Sequence, residues 1–248
     1  MRGRYPAPSG LSSFGPGGIS PAIKILVLTN IAVFVLSWLA PQVILWLGLI
    51  PADVIGKLRV WQLFTYMFLH GGVGHILFNM LALWMFGVEL ERMWGTRFFL
   101  KYYFACGLGA AVTTMVLPFL LPMFDGMYTA ITMGASGAIY GVLLAYGMYF
   151  PNRPIYIYFV FPVPAKYFVM IMGGISLLMS MGSTPGDNTA HTAHLAGLVV
   201  GYLYLKGTRI NFTSELQYRF LKWRINRMRR KFDVHPGGRA NDIDRRVH

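Results

Sequence analysis

Six apolar stretches recur along the chain and limit the folds that it can adopt. Several approach the roughly 20 residues that an α-helix needs to cross a bilayer, and others are shorter, at about 15 or 16 residues. Hydrophobic residues make up 55% of the 248 positions and charged residues only 12%, which is unlike an ordinary soluble domain. We therefore predict an all-α, polytopic membrane protein built as a bundle of six transmembrane helices. The stretches are residues 25–40, 71–88, 99–122, 136–150, 166–181 and 190–205.

The positive charges lie mainly on one side of the predicted membrane. Six spans place both termini on the same side, with eight Lys and Arg residues outside the tail, whereas only Lys57 and Arg59 fall on the other side. Because cytoplasmic loops carry the excess of Lys and Arg, we predict that both termini are cytoplasmic. Membrane topology then explains the net charge of +13, and we predict no nucleic-acid partner. The eight residues are Arg2, Arg4, Lys24, Arg92, Arg97, Lys101, Arg153 and Lys166.

The chain divides into three parts. Residues 1–20 are rich in Gly, Pro and Ser, which predicts a disordered cytoplasmic leader. Residues 21–206 hold the predicted six-helix membrane domain. Residues 207–248 form a basic cytoplasmic tail in which apolar side chains recur at helical spacing. This pattern predicts an amphipathic helix on anionic lipid, followed by a disordered end, with a solvated helix as the alternative.

Three connections between the spans have distinctive compositions. Residues 42–69 are apolar but interrupted, and they include Trp46 and Trp61, which predicts a loop lying in the membrane interface, with a re-entrant loop as the alternative. Residues 151–165 carry four prolines and predict a cytoplasmic connection. Residues 182–189 are polar and predict either a lid or a plain turn.

The sequence points to no cofactor and no metal ion. Cys106 is the single cysteine, which rules out an internal disulfide and any cysteine-rich zinc site; we interpret it as a packing residue. The phosphate-binding motif GxxxxGK[ST] is missing from the sequence, so a nucleotide-driven pump is not favoured.

A serine and a histidine lie inside two of the apolar stretches, where polar groups are costly. Ser136 begins the stretch that runs to Phe150, and His194 lies one turn into the stretch that ends at Leu205. An ionisable residue within a span marks a functional site by default, and the serine and histidine suggest a nucleophile and its general base. Because the spans contain no acidic residue near His194, we predict a Ser–His dyad and not a triad.

Four polar residues are predicted to lie at a similar depth. A rise of 1.5 Å per residue places Ser136 about 22 Å and His194 about 18 Å from the cytoplasmic boundary. The corresponding figures for His75 and Asn79 are about 21 and 15 Å, and these two share a helix face. Their ring and amide, with the Ser136 backbone N–H, can stabilise an oxyanion. Tyr140, one turn after the serine, can pack against the His194 ring and fix its orientation.

Small residues indicate where the fourth and sixth spans touch. Each span carries a stripe of small residues at i,i+4 spacing, next to the serine in one case and the histidine in the other. Such stripes let helix backbones approach closely. Packing alone is an alternative for either stripe, although it does not explain the adjoining serine and histidine. The stripes are Gly137, Gly141 and Ala145, and Ala193, Gly197 and Gly201.

Three motifs occur in order, each in its own predicted span. They are His75-Ile-Leu-Phe-Asn79, Gly134-Ala-Ser-Gly137 with Tyr140, and Ala193-His194-Leu-Ala-Gly197-Leu-Val-Val-Gly201. Over residues 25–205 the chain thus resembles the rhomboid family of intramembrane serine proteases. The resemblance implies a six-helix bundle with a water-filled cavity that opens away from the cytoplasm. It also implies these roles: Ser136 as nucleophile, His194 as base, His75 and Asn79 as oxyanion partners, and Tyr140 and Gly134 as supporting residues.

The chain departs from the family pattern in its first loop. Gln62 follows Trp61 where many members carry arginine, so the resemblance leaves the contacts of this loop open. The segment 91–95, Glu-Arg-Met-Trp-Gly, resembles the family's structural turn after the second span. His70 and His191 match no catalytic position.

The leading functional prediction is an endopeptidase that cleaves single-span membrane proteins near the exoplasmic ends of their helices. One alternative is a rhomboid-like pseudoprotease, a membrane-protein binding or quality-control module. A second is a small-solute transporter, which should display inverted repeats, and we find none in the sequence. The compact layout and the lack of an Arg/Ser-rich leader favour a prokaryotic inner membrane.

Overall fold

The computed structural model describes residues 17–157, 160–181 and 187–209, without the side chains of 187–190 and 208–209. The part of the chain up to Leu205 forms one compact unit. The helices are α1 (Pro21–Leu39), α2 (Gln42–Leu47), α3 (Pro51–Gly56), α4 (Gln62–Thr65), α5 (Val73–Ala82), α6 (Val88–Trp94), α7 (Thr96–Leu120), α8 (Ser136–Tyr149), α9 (Ala165–Ser180) and α10 (Asp187–Arg209), and the strands are β1 (Pro154–Ile157) and β2 (Phe161–Pro164).

Three helical stretches in the described part of the chain are long and apolar enough to cross a membrane. They are α1, α7, and the stretch Val73–Trp94, in which a π-helical segment at Leu83–Gly87 joins α5 to α6. Together with α8, α9 and α10, they coincide with the six apolar stretches of the sequence. The number of membrane crossings nevertheless stays a prediction, because α8 and α9 are only 14 and 16 residues long.

The short helix α8 is the central element of the fold. Nine of its 14 residues are buried. They include consecutive residues, whose side chains point in different directions around the helix axis. A helix that is apolar all round is one that other elements surround. A length of 14 residues corresponds to about 21 Å, and Ser136, its first residue, keeps a partly exposed side chain.

Residues 154–164 depart from the predicted all-α fold. β1 and β2 pair antiparallel, with Pro154 opposite Pro164. Proline lacks the N–H that a helix interior requires and favours extended backbone in the residue before it, so a proline-rich connection forms a hairpin more readily than a helix. Next to the hairpin, Arg153 makes an ion pair with Glu89, which fixes this connection to the end of the second span.

Glu91 fixes the start of α1. Its carboxylate accepts hydrogen bonds from the Ser20 hydroxyl and from the backbone N–H groups of Ala22 at 2.9 Å and Ile23 at 3.2 Å. These N–H groups belong to the first turn of α1 and have no partner within it, and the helix dipole favours an anion there. Ser20, which the sequence assigned to the disordered leader, is buried. The leader prediction is therefore wrong at this residue.

The first loop, residues 42–69, is folded into short helices. Its exposed Trp46 and Trp61 rings stack with centroids 6.1 Å apart, and the Arg59 guanidinium lies over the Trp46 ring at 4.7 Å. A cavity of about 460 Å³ opens beside this stack, and its lining does not include the serine or histidine singled out above. The exposed rings are compatible with an interfacial loop.

The helices α8 and α10 approach each other through their glycines. A methyl group at Gly197 would collide with the carbonyl group of Gly137, and one at Gly201 would lie 3.2 Å from the Gly141 Cα atom. A methyl group at Gly141 would in turn lie 3.2 Å from the Gly197 carbonyl oxygen. The predicted contact between the two stripes is confirmed, because only glycine leaves room for backbones this close.

Three predictions fall at least partly outside the described residues. They concern the leader at residues 1–16, the loop at residues 182–186 and the basic tail at residues 210–248. Within the described part, α10 already begins at Asp187 and continues to Arg209. The polar loop predicted up to residue 189 is therefore shorter, and the predicted boundary at residue 206 lies inside a helix.

Replacement of Gly197 by Ala is expected to lower the melting temperature of the detergent-solubilised protein. The added methyl group has no space beside Gly137, so α8 and α10 must separate, and overpacking of this kind costs about 1–3 kcal/mol. Gly174→Ala is the matched control, because a methyl group there meets nothing within 4 Å. Equal melting temperatures for the two variants would show that the close backbone contact is absent.

Candidate active site

Backbone hydrogen bonds from the first loop hold the segment that precedes Ser136. Leu49 and Thr132 exchange two such bonds, at 3.0 and 2.8 Å, and the Gly134 N–H donates to the Tyr66 carbonyl at 2.9 Å. Gly134 has a φ of +127°, a conformation that residues with a Cβ atom rarely adopt. The chain therefore turns sharply at Gly134 and delivers Ser136 as the first residue of α8.

Gln62 stabilises the first loop from the inside. Its side chain is entirely buried; Oε1 accepts a hydrogen bond from the Ile50 N–H at 3.1 Å, and Nε2 donates to the Leu45 carbonyl at 3.2 Å. Because Leu49 beside Ile50 pairs with Thr132, these bonds also support the segment before the serine. The amide thus supplies the loop contacts that the resemblance left open at this position.

Ser136 and His194 meet where α8 and α10 touch. The His194 Nε2 atom lies 2.8 Å from the Ser136 Oγ atom, a normal hydrogen-bond distance, and both side chains are partly exposed. The other ring nitrogen, Nδ1, has no hydrogen-bond partner among the described residues. The structure therefore brings the two predicted residues together as a pair, and none of the carboxylates described in it orients the imidazole.

Tyr140 covers one face of the imidazole. Its ring lies on the His194 ring with centroids 4.1 Å apart and an angle of 8° between the planes. Tyr140 is one turn after Ser136 on α8, so the helix that carries the serine also carries the ring that packs on the histidine. The predicted contact is present, and stacking of this kind restricts rotation of the imidazole.

His75 faces the same space as Ser136. The Gly71 N–H donates to the His75 Nδ1 atom at 3.3 Å, so the neutral ring carries its proton on Nε2. A methyl group built on Gly134 would lie 2.9 Å from that Nε2 atom and 3.6 Å from the Ser136 Oγ atom. The glycine therefore leaves open a space that the serine oxygen and an imidazole N–H both border.

Asn79 is a second polar residue on the same helix as His75. It lies one turn after His75 on α5 and is buried, and α5 packs against α8. Its Nδ2 amide group has no hydrogen-bond partner among the residues that the structure describes. Because an unpaired buried N–H is costly, this amide is available to a group that enters the site.

Two further histidines lie beside the site. The His70 ring meets the His75 ring edge to face at 5.0 Å. Burial, together with the neighbouring His75, lowers the pKa of His70 to about 4, so this ring is neutral. The His191 ring stands perpendicular to the His194 ring at 5.8 Å, and His194 is the one of the two whose Nε2 atom lies within hydrogen-bond distance of the Ser136 Oγ atom, as the helix register predicted. Across the described ranges, no group of three or more His, Cys, Asp or Glu side chains could hold a metal ion.

Sequence reasoning missed Ser176 and the role of Gln62. Ser176 is 1% exposed on α9, and its hydroxyl donates a hydrogen bond to the Tyr140 hydroxyl at 3.2 Å. The available signal was the i,i+4 pair of Ser176 and Ser180, since small polar residues at this spacing mark helix contacts in membranes. For Gln62 the sequence offers only a polar residue between apolar neighbours, which does not identify its partners.

The sequence model of the rhomboid domain matches residues 57–209. This segment is more than half of the chain and contains all three motifs. The chain belongs to the rhomboid family. With its apolar helices, this membership makes it a multi-pass membrane protein.

Several curated relatives are similar to this rhomboid. It is 30% identical over 198 residues to the mitochondrial RHOMBOID-like protein 12 of Arabidopsis thaliana, covering 75% of this chain and 59% of that one. It is 32% identical to the rhomboid protease GluP of Bacillus subtilis over 152 residues, which cover 60% of this chain and 26% of GluP. It is 26% identical to the rhomboid protease GlpG of Salmonella paratyphi A over 183 residues, which cover 73% of this chain and 60% of GlpG.

The relatives leave the cellular membrane undecided. They include bacterial proteases and proteins described as mitochondrial, so they do not support a prokaryotic inner membrane over a mitochondrial one. That assignment stays a prediction. This rhomboid also spans less than two thirds of the length of each of these relatives.

Replacement of Gln62 by Ala is expected to lower the melting temperature. The truncation leaves the Ile50 N–H without its side-chain acceptor and removes one of the two donors to the Leu45 carbonyl, which keeps its bond from Arg59; one unsatisfied buried group costs about 1–3 kcal/mol. Gln42→Ala is the control, because Gln42 belongs to the same loop and is exposed. The loop does not depend on the buried amide if thermal unfolding of the two variants is indistinguishable.

Proposed function

We propose that this rhomboid is an intramembrane serine endopeptidase with Ser136 as nucleophile and His194 as general base. The observation that carries the proposal is the 2.8 Å separation of the His194 Nε2 and Ser136 Oγ atoms. A serine hydroxyl is a weak nucleophile until a base within hydrogen-bond reach takes its proton. Two of the relatives described above are named rhomboid proteases, which supports the same chemistry.

The proposed reaction has two stages. In the first, the hydroxyl proton of Ser136 passes to the His194 Nε2 atom while Oγ bonds to the scissile carbonyl carbon. The C–N bond then breaks, and the same proton passes from Nε2 to the leaving amine, which gives an ester on Ser136. In the second, water gives up a proton to Nε2 and attacks this ester, which releases the new carboxyl end and restores the hydroxyl.

Three donors are assigned to the oxyanion of each tetrahedral intermediate. The His75 Nε2–H borders the space beside Ser136, because its Nδ1 atom is occupied by the Gly71 N–H. The Asn79 amide and the Ser136 backbone N–H at the start of α8 complete the set. Donors that are already oriented stabilise developing charge without reorganisation, and they act strongly where water is scarce.

The proposed substrates are single-span membrane proteins. A substrate must present a carbonyl group to Ser136, and an intact helix hides its carbonyl groups, so cleavage is expected where a substrate helix unwinds near its exoplasmic end. Six crossings with both termini in the cytoplasm agree with the distribution of Lys and Arg. We further assign the basic tail to anionic lipid and the protein to a prokaryotic inner membrane.

The competing function is a pseudoprotease that binds membrane proteins without cleaving them. Such a protein has no need for a serine and an imidazole in hydrogen-bond contact. It also has no need for a ring stacked on the imidazole or for a glycine at positive φ beside the serine. The protease is therefore the function that the geometry favours, and turnover separates the two.

Replacement of Ser136 or of His194 by Ala is expected to abolish cleavage of a single-span reporter substrate in proteoliposomes. The first change removes the nucleophile, and the second removes the base that contacts it. His191→Ala is the matched control, since it deletes an imidazole one turn away on α10 and should retain most of the wild-type turnover. The measurement is the rate of product formation by purified protein.

Three results would contradict this assignment. Turnover by Ser136→Ala above a few per cent of wild type would remove the serine from the mechanism. An inactive His191→Ala beside an active His194→Ala would show that the other histidine is the base. Absence of turnover in the wild type across many membrane substrates would favour the pseudoprotease.

Replacement of Asn79 by Ala is expected to lower kcat by about 10- to 1,000-fold, which reaches at its upper end the loss of about 100- to 1,000-fold typical of removing one oxyanion donor. The effect should be smaller than that of Ser136→Ala, because His75 and the backbone N–H remain. Steady-state kinetics on the same reporter provide the measurement. Wild-type kcat in this variant would mean that the amide is not a donor.

A further inference from the structure

Ser176 is a buried polar residue for which the proposed reaction has no role. Only four of the 16 residues of α9 are buried, and Ser176 and Ser180 are the two at its far end. A buried hydroxyl requires a hydrogen-bond partner, and a helical serine usually finds one in its own helix. Ser180 follows that rule and donates to the Leu177 carbonyl at 2.7 Å. Ser176 instead donates across to α8, to the Tyr140 hydroxyl at 3.2 Å.

This hydrogen bond holds the far end of the ring that covers the histidine. The Tyr140 ring lies flat on the His194 ring at 4.1 Å and 8°. A stacked ring can still slide or tilt at little cost, because stacking has a broad energy minimum. Its hydroxyl is the point farthest from the α8 backbone, so a bond at that point limits both movements.

The imidazole depends on this stack because its second nitrogen has no orienting partner. In a triad a carboxylate holds Nδ1 and sets the plane of the ring. Among the described residues nothing hydrogen-bonds to the His194 Nδ1 atom. The stacking of the imidazole on the Tyr140 ring therefore keeps Nε2 directed at the Ser136 Oγ atom.

We infer that Ser176 is a positioning residue: its hydroxyl fixes the Tyr140 ring, which holds His194 in line with Ser136. The inference rests on the proposed protease function and adds a residue of α9 to its machinery. Ser176 touches neither the substrate nor the reacting atoms in this scheme. Its loss should therefore lower kcat and leave KM unchanged.

The first experiment compares Ser176→Ala with Ser180→Ala in proteoliposomes. The two changes delete the same atom from buried serines on one helix, but only the first removes the contact with Tyr140. We expect kcat to fall about 3- to 10-fold in Ser176→Ala, the effect of one neutral hydrogen bond. Ser180→Ala should keep the wild-type kcat, and the melting temperatures should agree. Ser176→Thr, which retains the hydroxyl, should restore most of the lost rate.

The second experiment is a double-mutant cycle with Tyr140→Phe. This change keeps the stacked ring and removes the hydroxyl that Ser176 binds. If the two residues act through one hydrogen bond, each single variant loses the same rate and the double variant is no slower than either. Multiplied losses in the double variant would show that they act separately.

These measurements distinguish two failures. Wild-type protein without turnover would refute the protease itself. An active wild type, together with equal kcat values in Ser176→Ala and Ser180→Ala, would overturn the positioning role and leave the protease intact. A fall in kcat that Ser176→Thr does not reverse, accompanied by a lower melting temperature, would identify Ser176 as a packing residue only.

Discussion

The contact between the glycines of α8 and α10 is the constraint on which the site depends. Ser136 and His194 are 58 residues apart in the chain, and each is next to or within one turn of a glycine in this contact. Gly197 has no room for a methyl group beside Gly137. A hydrogen bond of 2.8 Å tolerates little displacement, so a side chain at Gly197, which would push α8 and α10 apart, is expected to separate the serine from the histidine.

Two supports outside this contact fix the remaining freedom of the pair. On the serine side, the first loop binds the segment before Ser136 through backbone hydrogen bonds, and the buried amide of Gln62 holds that loop together. On the histidine side, Tyr140 covers the ring and Ser176 fixes Tyr140. Polar contacts of this kind are costly to break in apolar surroundings, because an unpaired buried polar group is strongly destabilising there.

Much of the site could be predicted from the sequence, because helix geometry converts spacing into position. The i,i+4 glycines implied a close contact, and depth estimates from helix rise placed Ser136 and His194 at one level. Contacts made by loops and across helices were not accessible in this way. Neither the partners of Gln62 nor the bond from Ser176 to Tyr140 follows from a periodicity. The hairpin at residues 154–164 was missed because its prolines exclude a helix without specifying what replaces it.

The central claim is that the Ser136 hydroxyl is activated by the imidazole of His194. Its most direct test is reaction of the wild-type protein with a fluorophosphonate, followed by mass-spectrometric mapping of the adduct. Because an activated serine oxygen attacks phosphorus whereas ordinary serines do not, we predict a single adduct on Ser136 that disappears in the His194→Ala variant. An adduct on another residue, or an unmodified protein that nevertheless cleaves its substrate, would contradict the account.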